Sequence, residues 1–372
     1  MLNNLFSWKQ FYNKAPQYGA IFLCAFLAYG SVLWNGAGFS HPDDVDAATL
    51  KCCDFRPILS ETYLLNRHFG GWMLTNFGLH LLAGFGIWWL SGSIWAACLF
   101  VAHPMAADAV ASVAGRSAIL AALLVLLTLA TWRKSWLPSI GLGIAAVDVL
   151  GALPSRIWSI TGAPEHKQYV FDYLSALPSY IVPRLFIPLR LSADPEIHSS
   201  MVTTALGILL LSATAGAVIM SPPGYRLALA LILMSLVPYM LVPLPDVFLE
   251  HRAYLALAGA ALLIAQLPRR LLFVVLGAFI AMSHARAHVY GSPVRLWDDA
   301  AAKAPNKFRP HLNAGGVHYL YRQFPEAELE LKKALAITPA EIAWRNLVKL
   351  YIEQNNLFGA SQVMASYSKE GY

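Results

Sequence analysis

Long apolar runs broken by short polar turns dominate this chain. Windows of roughly 20 apolar residues, the length that carries a helix across a bilayer, fall near 18–36, 71–90, 93–113, 117–132, 137–153, 201–220, 225–245, 251–267 and 269–288. The pattern predicts about nine spans. The stretch 154–200 interrupts it with Arg156, Glu165, His166, Lys167, Asp172, Arg184, Arg190, Asp194 and Glu196 and with prolines at 154, 164, 178, 183, 188 and 195. Its apolar pieces are too short or too broken to cross, which predicts interfacial or re-entrant helices covered by the bundle.

After about Ser292 the pattern becomes polar and helical, and it repeats. Trp297, Ala300 and Pro305 recur 34 positions later as Leu331, Ala334 and Pro339, and Gly315 and Ala327 supply small residues between them. That period and that placement of small residues match a tetratricopeptide repeat, followed by a degenerate unit from Trp344. At least three repeats are usually needed for an independent fold, so this tail is expected to lean on the membrane part or on a partner. The expected fold is all-α: a polytopic membrane bundle over residues 1–291 and a short tetratricopeptide-like domain over 292–372.

Composition agrees with lipid as the solvent. The chain has 372 residues, 57% hydrophobic and 13% charged, against about a quarter charged in soluble domains. A net charge of +6, spread over many loops, suits headgroups better than nucleic acid. The basic turns Arg133-Lys134, Arg226 and Arg269-Arg270 fall on the same side as Lys9 and Lys14 when nine crossings are counted, which makes that side cytoplasmic. The loop 37–70, the stretch 154–200 and the tail then face outward. The first apolar run has no small-x-small cleavage site after it and reads as a retained helix. Cys24 and Cys98 read as small hydrophobes. Cys52 and Cys53 are adjacent and cannot form a relaxed disulfide with each other. No zinc spacing, P-loop or GxGxxG is present.

Several polar residues stand at the rims of apolar spans, where such groups face a bundle interior or a ligand. Asp43 and Asp44 follow the first span; neighbouring acids repel, which raises one pKa or calls for a shared cation, and such a carboxylate can take a proton from a hydroxyl. A solvated loop or a helix N-cap is the plain alternative. Arg56, before Pro57, offers a fork for phosphate oxygens or a partner for Asp54. His103 precedes Pro104 inside the third span. Asp108 and Arg116 flank its outer end, for ligand contact or as an internal Asp–Arg clamp. Asp148 lies within the fifth span. Glu250, His251, Arg252 and Tyr254 open the eighth, able to bind an anionic head or to cap the helix.

Taken in order, DD after the first span, RPILS, HPMAADAVASVAGRSAIL, EHRAY and then the repeats resemble the transmembrane and tetratricopeptide-repeat protein O-mannosyltransferases and their bacterial relatives. Asp43, Asp44, Arg56, Pro57, His103, Pro104, Asp108, Val110, Gly115 and Arg116 match that pattern, and Glu250, Arg252 and Tyr254 match its late acid–Arg–Tyr element with His251 inserted. Val147-Asp148 departs from the family's Lys-Glu pair, and members are usually longer, with more spans and repeats. The resemblance implies a C-type glycosyltransferase fold in a bacterial inner membrane, with the repeats in the periplasm. It implies a polyprenyl-phosphate-linked sugar as donor and a hydroxyl of an exported protein or a glycan as acceptor, with membrane lipids and no nucleic acid as surroundings. Asp44 or Asp43 would be the base. Arg56, Arg116 and Arg252 would hold the departing phosphate, supported by His103, Asp108, Glu250, His251 and Tyr254. No organic cofactor is implied; the acid pair could hold a divalent metal. The rival reading is a non-catalytic membrane scaffold whose repeats dock a cell-envelope or pilus partner.

Overall fold

The computed structural model describes residues 8–34, 57–132, 140, 143, 164–241, 244 and 246–369. All regular structure among them is helical. Five described helices are long and apolar enough to cross a membrane: Lys14–Leu33, Trp72–Ser91, Met201–Met220, Pro223–Leu241 and Arg269–Tyr290. Arg116–Trp132 is a shorter apolar helix. The chain divides into two compact units, one of Met1–Leu189 with Ile197–Gly291 and one of Arg190–Glu196 with Ser292–Tyr372.

The first unit begins with α1 (Trp8–Tyr29), then α2 (Pro57–Phe69) and α3 (Trp72–Ser91). Gly70 and Gly71 join the last two with φ of 69° and 71°. Two successive left-handed residues are cheap only for glycine, so this corner is written into the sequence. Helix α4 (Ile94–Val101) follows, capped by Ser93, whose Oγ accepts the Ala96 N–H at 3.2 Å. Then come a 3-10 turn (Pro104–Ala106), the single turn α5 (Ala107–Val110) and α6 (Arg116–Trp132).

The single span expected over 93–113 is therefore broken. Pro104 has no N–H to give the helix and pushes the residue before it out of the helical region; His103 is extended at φ −74° and ψ 124°. The span expected over 251–267 also differs. Helix α11 (Tyr254–Ile264, 11 residues) is about 16 Å long, half of a hydrocarbon core. It is buried almost throughout. A Cβ on Gly259 would stand 2.3 Å from the Ala228 carbonyl oxygen, so glycine is what lets α10 (Pro223–Leu241) approach it. The span expected over 137–153 lies mostly outside the described residues.

The stretch expected to hold interfacial helices forms α7 (Pro164–Ala176), a π-turn (Leu177–Ile181) and α8 (Val182–Phe186). It packs on α10 through hydrogen bonds from Tyr169 and Tyr173 to the Tyr239 and Leu236 carbonyls, at 2.8 and 2.9 Å. Helix α9 (Met201–Met220) approaches it through Gly207, where a Cβ would lie 2.1 Å from the Leu174 oxygen. Helix α12 (Arg269–Tyr290) closes the unit against α1, where Tyr29 donates to the His103 carbonyl and Ser283 Oγ donates to the Ala102 carbonyl at 2.7 Å.

The second unit packs α13 (Pro293–Lys303), α14 (Phe308–Leu320), α15 (Phe324–Ile337), α16 (Glu341–Glu353) and α17 (Leu357–Lys369) in sequence. Trp297, Ala300, Leu331 and Ala334 are all buried, and a Cβ on Gly315 would meet Leu331 Cγ at 2.7 Å. The turns after α14 and α16 share one geometry. Gln323 N–H reaches the His318 carbonyl and Asn356 N–H the Tyr351 carbonyl, both at 2.9 Å, with Arg322 and Asn355 left-handed at φ 59° and 58°. This is the paired bonding of a helix stop that usually uses glycine. The strap Arg190–Glu196 belongs to this unit. Its buried Asp194 accepts from Lys307 Nζ at 2.5 Å and Arg309 Nε at 2.9 Å, and Lys303 Nζ holds the Leu191 carbonyl at 2.7 Å.

Candidate functional site

Helices α6 and α10 line a cavity of about 540 Å³ in the first unit. Ala121, Ala122, Val125, Leu129, Leu233 and Pro238 make it apolar along its length, and His251, Arg252 and Tyr254 bring polar groups to it. The stretches of α6 and α10 that line it carry no charged side chain.

His251 and Arg252 come from one 3-10 turn, Glu250–Ala253, at the head of the helix α11 that Tyr254 opens. Ser235 Oγ of α10 donates to the Arg252 carbonyl at 3.1 Å and pins the turn to the wall. Among the described residues the guanidinium of Arg252 gives one hydrogen bond, from Nη1 to the Asp246 carbonyl at 2.6 Å, and lies 5.9 Å from the Tyr239 ring centre. It makes no hydrogen bond to a carboxylate among the described residues. His251 is fixed twice by Asp108: its backbone N–H and its ring Nδ1 both reach Oδ2, at 2.9 and 2.8 Å. Glu250 points the other way and is fully buried. It accepts from Tyr180 at 3.1 Å and pairs with Arg286 of α12 at 3.4 Å.

Other expected site residues lie elsewhere in the unit. Arg116 is 0% exposed. Its Nε donates to Asn76 Oδ1 at 2.7 Å, and its two terminal nitrogens donate to the Thr62 and Trp72 carbonyls at 2.9 and 3.1 Å. The rings of Tyr63 and Trp72 stand 4.8 and 5.5 Å from it. The Asp–Arg clamp that the sequence offers for Asp108 and Arg116 is thus replaced by an Asp108–His251 contact and an all-neutral cradle. His103 is buried and caps the turn that Pro104 starts: Nδ1 accepts the Met105 N–H at 3.2 Å and Nε2 donates to the Leu185 carbonyl at 3.1 Å. Tyr254 donates to His80 Nδ1 at 2.5 Å, while His80 Nε2 donates to the Val101 carbonyl at 3.1 Å.

Asp43, Asp44, Arg56, Cys52, Cys53 and Asp148 lie outside the described residues. Among the described residues no three His, Cys, Asp or Glu side chains gather as a metal-binding group. Asn76, His80, Tyr180 and Arg286 hold Arg116, Tyr254 and Glu250 and are not among the candidates that the sequence offers. Asn76 and His80 carried a usable signal, because they stand four apart, on one face of an otherwise apolar helix.

No family model, no curated protein and no solved structure matches this chain.

Proposed function

We propose that this chain is a membrane glycosyltransferase that moves a sugar from a polyprenyl-phosphate donor to a hydroxyl, with Ser or Thr of an exported protein as the acceptor. One observation carries the reading: an apolar cavity is lined by adjacent His251 and Arg252 from a single turn. A lipid phosphate needs both halves of that arrangement. The prenyl chain gains about 0.8 kcal/mol for each methylene it buries, and the cavity volume falls in the usual range for small-molecule sites. The phosphate needs a donor fork that is not already occupied, and Arg252 offers the guanidinium that Arg116 does not.

Transfer breaks the bond between the anomeric carbon and the phosphate oxygen through an oxocarbenium-like state. Negative charge grows on the leaving phosphate, and a guanidinium held by its own backbone bond to Asp246 is oriented before that charge appears. Arg116 supports the site from behind, by tying α2 and α3 to the start of α6. The sequence resemblance offers Asp44 or Asp43 as a candidate proton acceptor and Arg56 as a candidate phosphate ligand. In this reading the membrane is the bacterial inner membrane, and the tail is a tetratricopeptide-type module facing the periplasm, where it recruits the acceptor.

The test uses the full chain in lipid nanodiscs with a radiolabelled polyprenyl-phosphate hexose. Saturable binding, weakened by Arg252→Ala and not competed by a nucleotide sugar, is expected, together with release of polyprenyl phosphate. A protein that binds no such lipid, or that works unchanged with every cavity substitution, has another function; a scaffold would fail only when the tail is removed.

A further inference from the structure

We propose that His251, in place of the acid pair Asp43 and Asp44 that the sequence offers, is the catalytic base of this site and that Asp108 is its positioning residue; the inference rests on the transferase reading above. The argument starts from the ring nitrogens. A carboxylate can only accept hydrogen bonds, so the 2.8 Å contact between Nδ1 and Asp108 Oδ2 places the proton on Nδ1. In the neutral ring the lone pair then sits on Nε2. That nitrogen makes no hydrogen bond among the described residues, and His251 lines the apolar cavity beside Arg252. The His251 backbone N–H holds the same Asp108 oxygen at 2.9 Å, so both the position and the ring flip are fixed before any ligand arrives. Asp108 is in place because Pro104 breaks the helix and the single turn α5 redirects the chain toward the head of α11.

The neighbouring polar groups are committed to other contacts. Glu250 is bound to Tyr180 and Arg286. Tyr254 gives its proton to His80. His103 uses both ring nitrogens on backbone groups. Among the described residues, His251 is the titratable side chain of the turn that lines the cavity and keeps an acceptor nitrogen without a hydrogen bond.

In the proposed step the acceptor oxygen forms a bond to the anomeric carbon while the bond from that carbon to the phosphate oxygen breaks. The electron pair of the broken bond leaves with the polyprenyl phosphate. The hydroxyl proton passes to His251 Nε2. The imidazolium is stabilised by the Asp108 carboxylate, which remains charged, and it later returns the proton to water.

The experiment measures donor binding and release of polyprenyl phosphate separately, with a polyprenyl-phosphate hexose as probe and water or a Ser/Thr peptide as acceptor. His251→Gln should bind the donor within about twofold of the wild type. Its release should slow by roughly 10²–10⁴-fold, the usual scale for a lost general base. Imidazole should restore part of the rate to His251→Ala. Asp108→Asn should lower kcat and leave the donor KM unchanged, with Asp108→Glu recovering part of the loss. The proposal is overturned if His251→Gln releases product at the wild-type rate, if its donor binding falls as far as its rate, or if Asp44→Asn alone carries the loss. Each of those results leaves the transferase reading standing. A wild-type chain that neither binds nor cleaves the donor removes that reading, and this one with it.

Discussion

The corner around Arg116 and the turn around Arg252 solve the same problem in opposite ways. Each brings a guanidinium into an apolar helical unit. Arg116 gives its hydrogen bonds to Asn76, Thr62 and Trp72 and is shut between two aromatic rings. Arg252 is tied by one backbone bond and borders an apolar cavity. A guanidinium whose donors are consumed by neutral oxygens is a structural bolt. One that keeps donors available beside a cavity can still hydrogen-bond a ligand there. The difference lies in the acceptors around each, since the residue type is the same.

That contrast can be broken, starting with the largest effect. Arg116→Met should leave the Asn76, Thr62 and Trp72 oxygens without donors. At about 1 kcal/mol or more for each orphaned buried acceptor, detergent-solubilised protein should melt several degrees lower or be lost from the monodisperse fraction. A variant with unchanged melting would show that the cradle contributes little. Arg252→Ala should act on binding instead: donor affinity should fall roughly 10–100-fold, the worth of one or two charge-assisted hydrogen bonds at about 1.5–3 kcal/mol, with melting nearly unchanged. If Arg252→Ala unfolds the chain and Arg116→Met does not, the two roles are reversed.

A smaller effect tests the cavity itself. Val125→Trp fills part of it and should weaken a long-chain donor by roughly tenfold, equivalent to one or two displaced methylenes at about 0.8 kcal/mol each. A short-chain analogue should be affected less. Equal binding of both chain lengths would mean that the lipid lies elsewhere.

The smallest effect concerns a polar contact in the second unit. Burial disfavours the charged ring of His318, yet its bonds to Gln323 and Asp298 prevail and raise its pKa above the ordinary histidine value. A raised folded pKa contributes stability that is fully present below the unfolded pKa of 6.5 and is lost as the pH rises through the folded one. Amide exchange in α14 and α15, compared at matched intrinsic rates, should therefore show weaker protection at pH 8 than at pH 6. His318→Gln should flatten that difference. No change with pH in the wild type would remove the contact from the stability of the tail.

The elements themselves were largely legible. Apolar windows marked helices α1, α3, α9, α10 and α12, because a run that must satisfy its backbone in lipid has few options other than helix. The start of the tail at Ser292 followed from the change in polarity. The breaks were harder. Pro104 was visible, but hydropathy averages over 93–113 concealed that it ends a helix of only 8 residues. The apolar segment after Arg252 read as a span because an internal helix buried in protein and a helix facing lipid share one composition. Arg322 and Asn355 hid two identical turns, since a left-handed arginine carries no glycine to mark it.

The candidate site was legible as residue types. His251, Arg252 and Asp108 were all nominated from polar letters in apolar surroundings. Their partners were not, because Asp108 and His251 are separated by well over a hundred positions and nothing local couples them.

By itself the sequence determined that this chain is helical, that much of it suits a lipid solvent, and where its charges can stand. Local hydropathy, proline and paired glycine are enough for that. Tertiary structure alone decided which charge is sealed and which is offered, because a hydrogen bond is spent or available according to what packs within about 3 Å of it. That distance is set by helices far apart in the chain.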